Sequence, residues 1–145
     1  MKISTKGRYG LRAMLDLAVN SGGGHVSLFN IAERQDISVN YLEQVFSVLR
    51  KAGLVNSVKG AQGGYLLARP ASRIFVGDIL KCLEGDLSVV ADEELKNPVN
   101  NMQTCITEYV WEKMNQSIEK VASTISLADL AEDYRQMDTA PMFYI

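Results

Sequence analysis

Residues 38–67, SVNYLEQVFSVLRKAGLVNSVKGAQGGYLL, constrain the fold more than any other stretch of the chain. Leu42, Val45, Phe46 and Leu49 recur at spacings of three and four, the mark of one buried helix face. Asn40, Gln44, Ser47 and Lys51 fall together on the opposite face. Ser38 can cap the start of this helix. Gly53 stands where a helix needs a left-handed residue to stop, and Leu54 can make the apolar contact that follows. Residues 55–59 and 65–68 then read as two short strands joined by a glycine-rich hairpin at 60–64. A helix followed by such a basic turn predicts a mainly α fold with a small β-hairpin wing, the winged helix-turn-helix. Its helix can lay a polar flank in a DNA major groove.

The flanking sequence extends that outline. Thr5 can cap a first helix over 5–20, with Leu11, Met14, Leu15 and Ala18 as its apolar stripe. Three glycines at 22–24 stop it. Ser27 caps a short second helix carrying Leu28, Ile31 and Ala32, and residues 35–37 turn into the third. Pro70 ends the second strand, since proline cannot continue a ladder. A fourth helix over 76–83 presents Ile79, Leu80 and Leu83 and stops at Gly85. Residues 86–103 read mostly as loop. The longest helix spans 104 to about 124, where Ile106, Val110, Met114, Ile118, Val121 and Ile125 repeat at three and four residues. So long an apolar stripe is marginal alone in water. Packing against the first helix covers part of it, and a second copy of the same helix would cover the rest, giving a two-fold homodimer. A last short helix lies near 127–135. The division expected is a DNA-binding unit over 1–75 and a dimerisation and sensing region over 76–145.

Charge divides along the same line. Residues 1–81 carry 11 Lys/Arg against 5 Asp/Glu, and residues 82–145 carry 4 against 12. A basic front half suits a polyanion, because cationic side chains on phosphates release condensed counterions. The acidic rear half faces away from DNA and does something else. The first ten residues, MKISTKGRYG, have neither the apolar core nor the cleavage pattern of a signal peptide. No run of about 18 apolar residues is present to span a membrane. Two cysteines, Cys82 and Cys105, do not make a disulfide framework, and together these features predict a cytoplasmic protein.

Reading a major groove requires polar side chains near a helix start. Asn40 and Gln44 donate and accept in one plane and suit adenine edges. Ser38 and Tyr41 can reach a phosphate or base edge, and Arg50 and Lys51 can neutralise phosphates further along. Lys59 at the base of the hairpin can reach a phosphate or the minor groove, with Gly60 allowing close backbone approach. Lys2, Thr5, Lys6, Arg8 and Arg12 lie near the same surface. Enzyme chemistry is not expected: there is no nucleophile–base pair, no phosphate-cradling loop after a strand and no metal-ligand spacing. His25, the sole histidine, lies in a loop without companions, which excludes a zinc site.

The segments KISTKGRYGLRAMLDLA, SVNYLEQVFSVLRKAGLV and VKGAQGGYLLARP resemble the bacterial winged-helix repressor family that contains the iron–sulfur regulator IscR, the nitric-oxide sensor NsrR and the cysteine-metabolism repressor CymR. The resemblance runs nearly the whole length and is strongest over 1–85. It implies a transcriptional repressor that binds a pseudo-palindromic double-stranded operator as a homodimer. It also implies that Ser38, Asn40, Tyr41, Gln44 and Lys59 meet DNA, with Glu43 discriminating against wrong bases.

Cluster-binding members of that family carry three cysteines before the long helix and one further ligand. Here Cys105 matches the third, Glu108 takes the later position, and ADEELKNPVNNMQT holds no counterpart of the first two. A cluster normally takes four ligands, so no cofactor is expected, a cluster shared across a dimer being the remaining route. The pattern points to the cluster-less CymR branch and to genes of cysteine and sulfur metabolism. Cysteine synthase, an enzyme class that grips partner proteins by a C-terminal isoleucine, is then a candidate partner for Met142, Phe143, Tyr144 and Ile145. Two alternatives stay open. Cys105, read as a helix N-terminal residue, could be a redox-sensing thiol, or the chain could be a winged-helix protein-interaction adaptor. Cys82 reads as a buried structural thiol.

Overall fold

The computed structural model describes residues 1–139, so the proposed docking tail Met142–Ile145 lies outside the described residues. Helix α1 (Thr5–Asn20) leads through the glycine turn to α2 (Leu28–Gln35) and α3 (Val39–Lys51). Strands β1 (Val55–Val58) and β2 (Gly64–Leu67) pair antiparallel, with Val55 opposite Leu67 and Val58 opposite Gly64. A 3-10 turn (Ala71–Arg73) precedes α4 (Val76–Glu84), followed by α5 (Asp92–Lys96) and α6 (Asn101–Ile106). A π-helical turn (Thr107–Trp111) joins α6 to α7 (Glu112–Thr124), and α8 (Leu127–Thr139) follows. The winged helix-turn-helix expected from residues 38–67 is present.

The caps explain most boundaries. Ser27 Oγ accepts from Asn30 N and Ser38 Oγ from Tyr41 N, both at 3.1 Å, as their positions predict. Helix α1 differs. Its cap is Ser4 rather than Thr5, and Glu84 from the end of α4 reinforces it. One carboxylate oxygen of Glu84 accepts from Ser4 N (2.8 Å), Ser4 Oγ (2.6 Å) and Gly7 N (3.0 Å). A negative group there satisfies orphan amides and complements the positive helix end. Gly7 is what admits it, since a methyl at that position would overlap the Glu84 carboxylate.

The core gathers around α1, which touches α2, α3, α4, α8 and β2. The face proposed for α1 shifts accordingly: Ala13, Met14 and Leu17 are fully buried, while Leu11, Leu15 and Ala18 are partly buried. A helix surrounded by neighbours buries more than one stripe. The stripe of α3 is as expected, with Leu42, Val45, Phe46 and Leu49 buried. Ile74, Ile79, Leu83 and Leu127 join the same core, so the C-terminal elements complete the packing of the N-terminal ones.

Asp16 of α1 is the buried carboxylate of this core. Arg34 of α2 meets it with a forked pair of bonds, Nη2 to Oδ1 at 2.7 Å and Nε to Oδ2 at 3.0 Å, and Gln35 Nε2 adds a third at 2.8 Å. A buried charge is tolerable when so fully partnered. The hydrogen bond to Asp16 in turn holds the Arg34 guanidinium above its usual range, against the opposing effect of burial. The pair clamps the first two helices of the motif.

Residues 86–103 hold more helix than expected. Asn100 caps α6, with its Oδ1 accepting from Gln103 N at 2.9 Å, so the long helix begins three residues earlier than its apolar pattern suggests. Ile125 lies beyond the end of α7 in extended backbone, and its carbonyl accepts from Val76 N at 2.9 Å. Leu127 N donates to the Ile74 carbonyl at 2.8 Å, so residues 74–76 and 125–127 are tied side by side.

Candidate nucleic-acid interface

Between α2 and α3 the chain reverses at Asp36, whose φ of 54° lies in the left-handed region. Aspartate tolerates this better than most residues because of its short polar side chain. Ile37 is buried directly after it, and Ser38 opens α3. The buried stripe of α3 then fixes its rotation and turns the other flank outward. Asn40, Glu43 and Gln44 are exposed and Ser47 half-buried, and these four line one open surface groove. Ser38, Arg50 and Lys51 are also exposed, extending this polar surface beyond both ends of the groove.

Tyr41 is placed differently from its polar neighbours. It is half-buried, and its ring meets Tyr9 of α1 edge-on at 6.0 Å. The Arg12 guanidinium lies 4.9 Å from the Tyr9 ring centre, and its Nη2 donates to the Gln35 carbonyl at 2.7 Å. Arg8 lies 5.8 Å from the same ring and donates to Thr5 Oγ1 at 3.1 Å. Cation–π contacts of this kind are worth about 0.5–1 kcal/mol at exposed sites. They hold two guanidiniums at the junction of α1, the turn and α3. The sequence signals the charge of Arg8 and Arg12 but not this aromatic scaffold.

The wing stands on the other side of the motif. Tyr65 of β2 packs on Phe46 of α3, with ring centres 5.0 Å apart. Val26 pairs with Tyr65 as a one-residue third strand, through two 2.8 Å backbone bonds. Lys59 and Gly60 are exposed at the start of the turn, where Gly60 takes a φ of 113°. Four ion pairs form among the described residues, and none uses Lys2, Lys51 or Lys59. Among the described residues these cations are exposed and unpaired, open to an external anion. Lys2 and Thr5 are exposed at the start of α1, in the segment that Glu84 anchors.

At the other end of the chain lies the apolar stripe. Ile106, Val110, Met114 and Val121 are 40–53% exposed, and Tyr109 and Met102 more so. Ile118 instead turns partly inward, into an apolar groove with Leu80, Leu87 and the N-terminal Met1 and Ile3. On the inner side Ala122 of α7 abuts Gly77 of α4, and Lys81 pairs with Glu119 at 2.9 Å.

Neither cysteine has the setting of a cluster ligand. Cys105 is exposed on the second turn of α6, not at its N-terminus, because the helix begins at Asn101. Cys82 is half-buried and its thiol faces the Val48 carbonyl at 3.8 Å. Burial pushes the Cys82 thiol up, with Lys6 acting weakly in the opposite sense. Among the described residues no three His, Cys, Asp or Glu side chains converge on a metal position. An iron–sulfur cluster, with its need for several thiolates, does not fit this donor set. No helix among the described residues is long and apolar enough to cross a membrane.

Residues 3–133 match the Rrf2 family, described as iron-dependent transcriptional regulators. The chain is 42% identical to the HTH-type transcriptional regulator CymR of Bacillus subtilis over 145 residues, the whole of both chains. The solved structure of that protein, described as the global cysteine regulator of B. subtilis, superposes with a TM-score of 0.78, covering 91% of this chain and 97% of the other. The solved structure of T. potens IscR gives 0.76 at 49% identity, covering 98% and 94%. The relatives are named as helix-turn-helix transcriptional regulators rather than enzymes. With its wing, its polar recognition flank and a match along almost all its length, the chain belongs to the Rrf2 family of DNA-binding transcriptional regulators.

Proposed function

We propose that the chain is a homodimeric repressor of cysteine and sulfur metabolism genes that acts in the cytoplasm without an iron–sulfur cluster. The observation that carries the DNA-reading part is the outward flank of α3, where Asn40, Glu43 and Gln44 share one groove. In this reading residues 1–75 form the DNA-binding unit and residues 76–145 the dimerisation and sensing region. Asn40 and Gln44 read adenine edges, and Glu43 rejects bases that present an acceptor. Ser38, Tyr41, Lys51, Lys2, Thr5, Lys59 and Gly60 hold the phosphate backbone. The exposed stripe Ile106–Val110–Met114–Val121 supports a helix-to-helix dimer, which would place one α3 at each half-site of a pseudo-palindrome. The single thiol at Cys105, where a cluster needs several, supports the cluster-free branch to which CymR belongs.

The test is operator binding by fluorescence anisotropy, using duplexes selected from random DNA by the full-length protein. Gln44→Ala should weaken binding by about 1–3 kcal/mol and relax preference at one base pair. Lys59→Ala should weaken all sequences alike and lower the salt slope by about 0.9. Unchanged binding in both variants removes α3 and the wing from the DNA surface. For the regulon, affinity capture from native extract with and without O-acetylserine tests whether cysteine synthase docks on the segment ending at Ile145. Unchanged capture after deletion of Ile145 rejects that partner. The exposure of Cys105 beside the dimer stripe favours one second reading, a thiol switch. Cys105→Ser would then abolish any loss of DNA binding on peroxide treatment.

A further inference from the structure

The wing turn extends past the last strand pair, Val58 with Gly64, and little holds it there. Lys59, Gly60, Ala61 and Gln62 are all exposed. Within the turn itself the one backbone bond is Gly63 N to the Gly60 carbonyl, 3.0 Å. A two-stranded ribbon of four residues per strand is marginal in water without outside support. At its base the ribbon is held by Tyr65 on Phe46, and at its tip by the segment before α2. His25 Nε2 lies 2.6 Å from the Gln62 carbonyl oxygen. A carbonyl only accepts, so this ring nitrogen carries the proton and donates.

The ring is well placed to act as a fixed post. Its neighbour Val26 is buried and bonded to Tyr65 in both directions at 2.8 Å. On its other side, the Gly24 amide donates to the Ser21 carbonyl at 2.6 Å, closing the glycine turn at the end of α1. The post therefore stands on α1 and β2 and reaches across to the far end of the wing.

We propose that His25 is a positioning residue for the wing, its Nε2–H bond to the Gln62 carbonyl aiming Lys59 and Gly60 at the DNA. The residue touches no base or phosphate in this role and acts through the hairpin. The proposal rests on the DNA-binding reading above, and its consequence is specific. Removing the donor loosens the wing tip but leaves the flank of α3 intact.

The experiment measures operator affinity for the full-length wild type, Lys59→Ala, His25→Leu, His25→Gln and the double variant His25→Leu/Lys59→Ala. One lost neutral hydrogen bond predicts about three- to tenfold weaker binding for His25→Leu. Glutamine carries an amide N–H near the position of Nε2, so His25→Gln should stay within about twofold of wild type. Because His25 acts through the wing, the double variant should bind within about twofold of Lys59→Ala alone. In parallel, amide NMR signals of Gly60 and Gly63 should shift in His25→Leu, while those of Asn40 and Gln44 hold still. Should the leucine variant not fold, His25→Asn carries the same test, since its shorter amide stops short of Gln62. Wild-type affinity in His25→Leu, or losses that multiply in the double variant, would overturn the proposal. If Lys59→Ala and Gln44→Ala both bind like wild type, the DNA reading itself has failed, which is a different result from an inert His25 beside a sensitive Lys59.

Discussion

Helices α4 and α7 approach so closely at Gly77 that the contact can be tested with a single methyl. A Cβ on Gly77 would lie 2.7 Å from the Ala122 carbonyl oxygen and 2.8 Å from Ala122 Cβ. Ordinary carbon contacts sit at about 3.5–4.0 Å, so α7 must retreat by roughly 1 Å. None of the atoms struck is the end of a flexible chain, and no rotamer change relieves the overlap. Overpacking of this kind costs about 1–3 kcal/mol. Replacing glycine by alanine in a helix returns up to about 1 kcal/mol. Because backbone is struck, the upper end of the overpacking range applies, and the net for Gly77→Ala is about 2 kcal/mol of lost stability, or about 6–7 °C in Tm for a chain of this size. The assay is thermal unfolding by circular dichroism at one fixed protein concentration, since self-association would shift Tm. Gly24→Ala is the control, because its nearest neighbour is the Ser21 carbonyl at an ordinary 3.7 Å. Ala122→Gly in the Gly77→Ala background should cost less than the sum of the two single changes, as coupled neighbours do. A Gly77→Ala protein melting at or above wild type would refute the argument for close approach.

Three further outcomes follow from named contacts. Met114→Glu puts a charge in the exposed stripe of α7 and should convert a dimer to a monomer in light scattering, with helix content unchanged by circular dichroism. Glu84→Ala strips the acceptor shared by Ser4 N, Ser4 Oγ and Gly7 N. It should lower unfolding free energy by about 1–2 kcal/mol in urea titration. Iodoacetamide at pH 8 followed by peptide mass spectrometry should label Cys105 well before Cys82. The first is exposed, whereas burial raises the second thiol and keeps it protonated as pH climbs.

The winged helix-turn-helix was legible because its signals are local. Spacing alone marks Leu42, Val45, Phe46 and Leu49, and the same 3.6-residue period forces Asn40, Gln44 and Lys51 outward. Ser27, Ser38 and Gly53 announce helix ends by chemistry that acts within four residues. What escaped the sequence is contact between distant segments. Glu84 caps a helix some eighty residues earlier, which made Thr5 look like the cap. Tyr9 meets Tyr41 through packing that no spacing encodes. His25 looked isolated because its acceptor is a backbone carbonyl 37 residues away, invisible in a search for side-chain companions. The π turn at Thr107–Trp111 also left no sign, since its amides bond five residues back while the backbone stays helical.

Helix α4 is one of the elements that join the two ends of the chain, together with α8. Its last residue, Glu84, holds the start of α1, where Lys2 and Thr5 are exposed. Its Lys81 and Gly77 hold α7 by an ion pair and by direct backbone contact. Its Asp78 accepts from Arg69, just past the wing, at 3.1 Å, and from Phe75 N at 2.8 Å. In the dimer proposed above, a change at α7 would reach α4 through these contacts, and α4 in turn packs on α1 and α3. In the proposed reading, a sensing event in the rear half would act on the N-terminal unit through its packing against α4 and α8 rather than at Asn40 or Gln44 themselves.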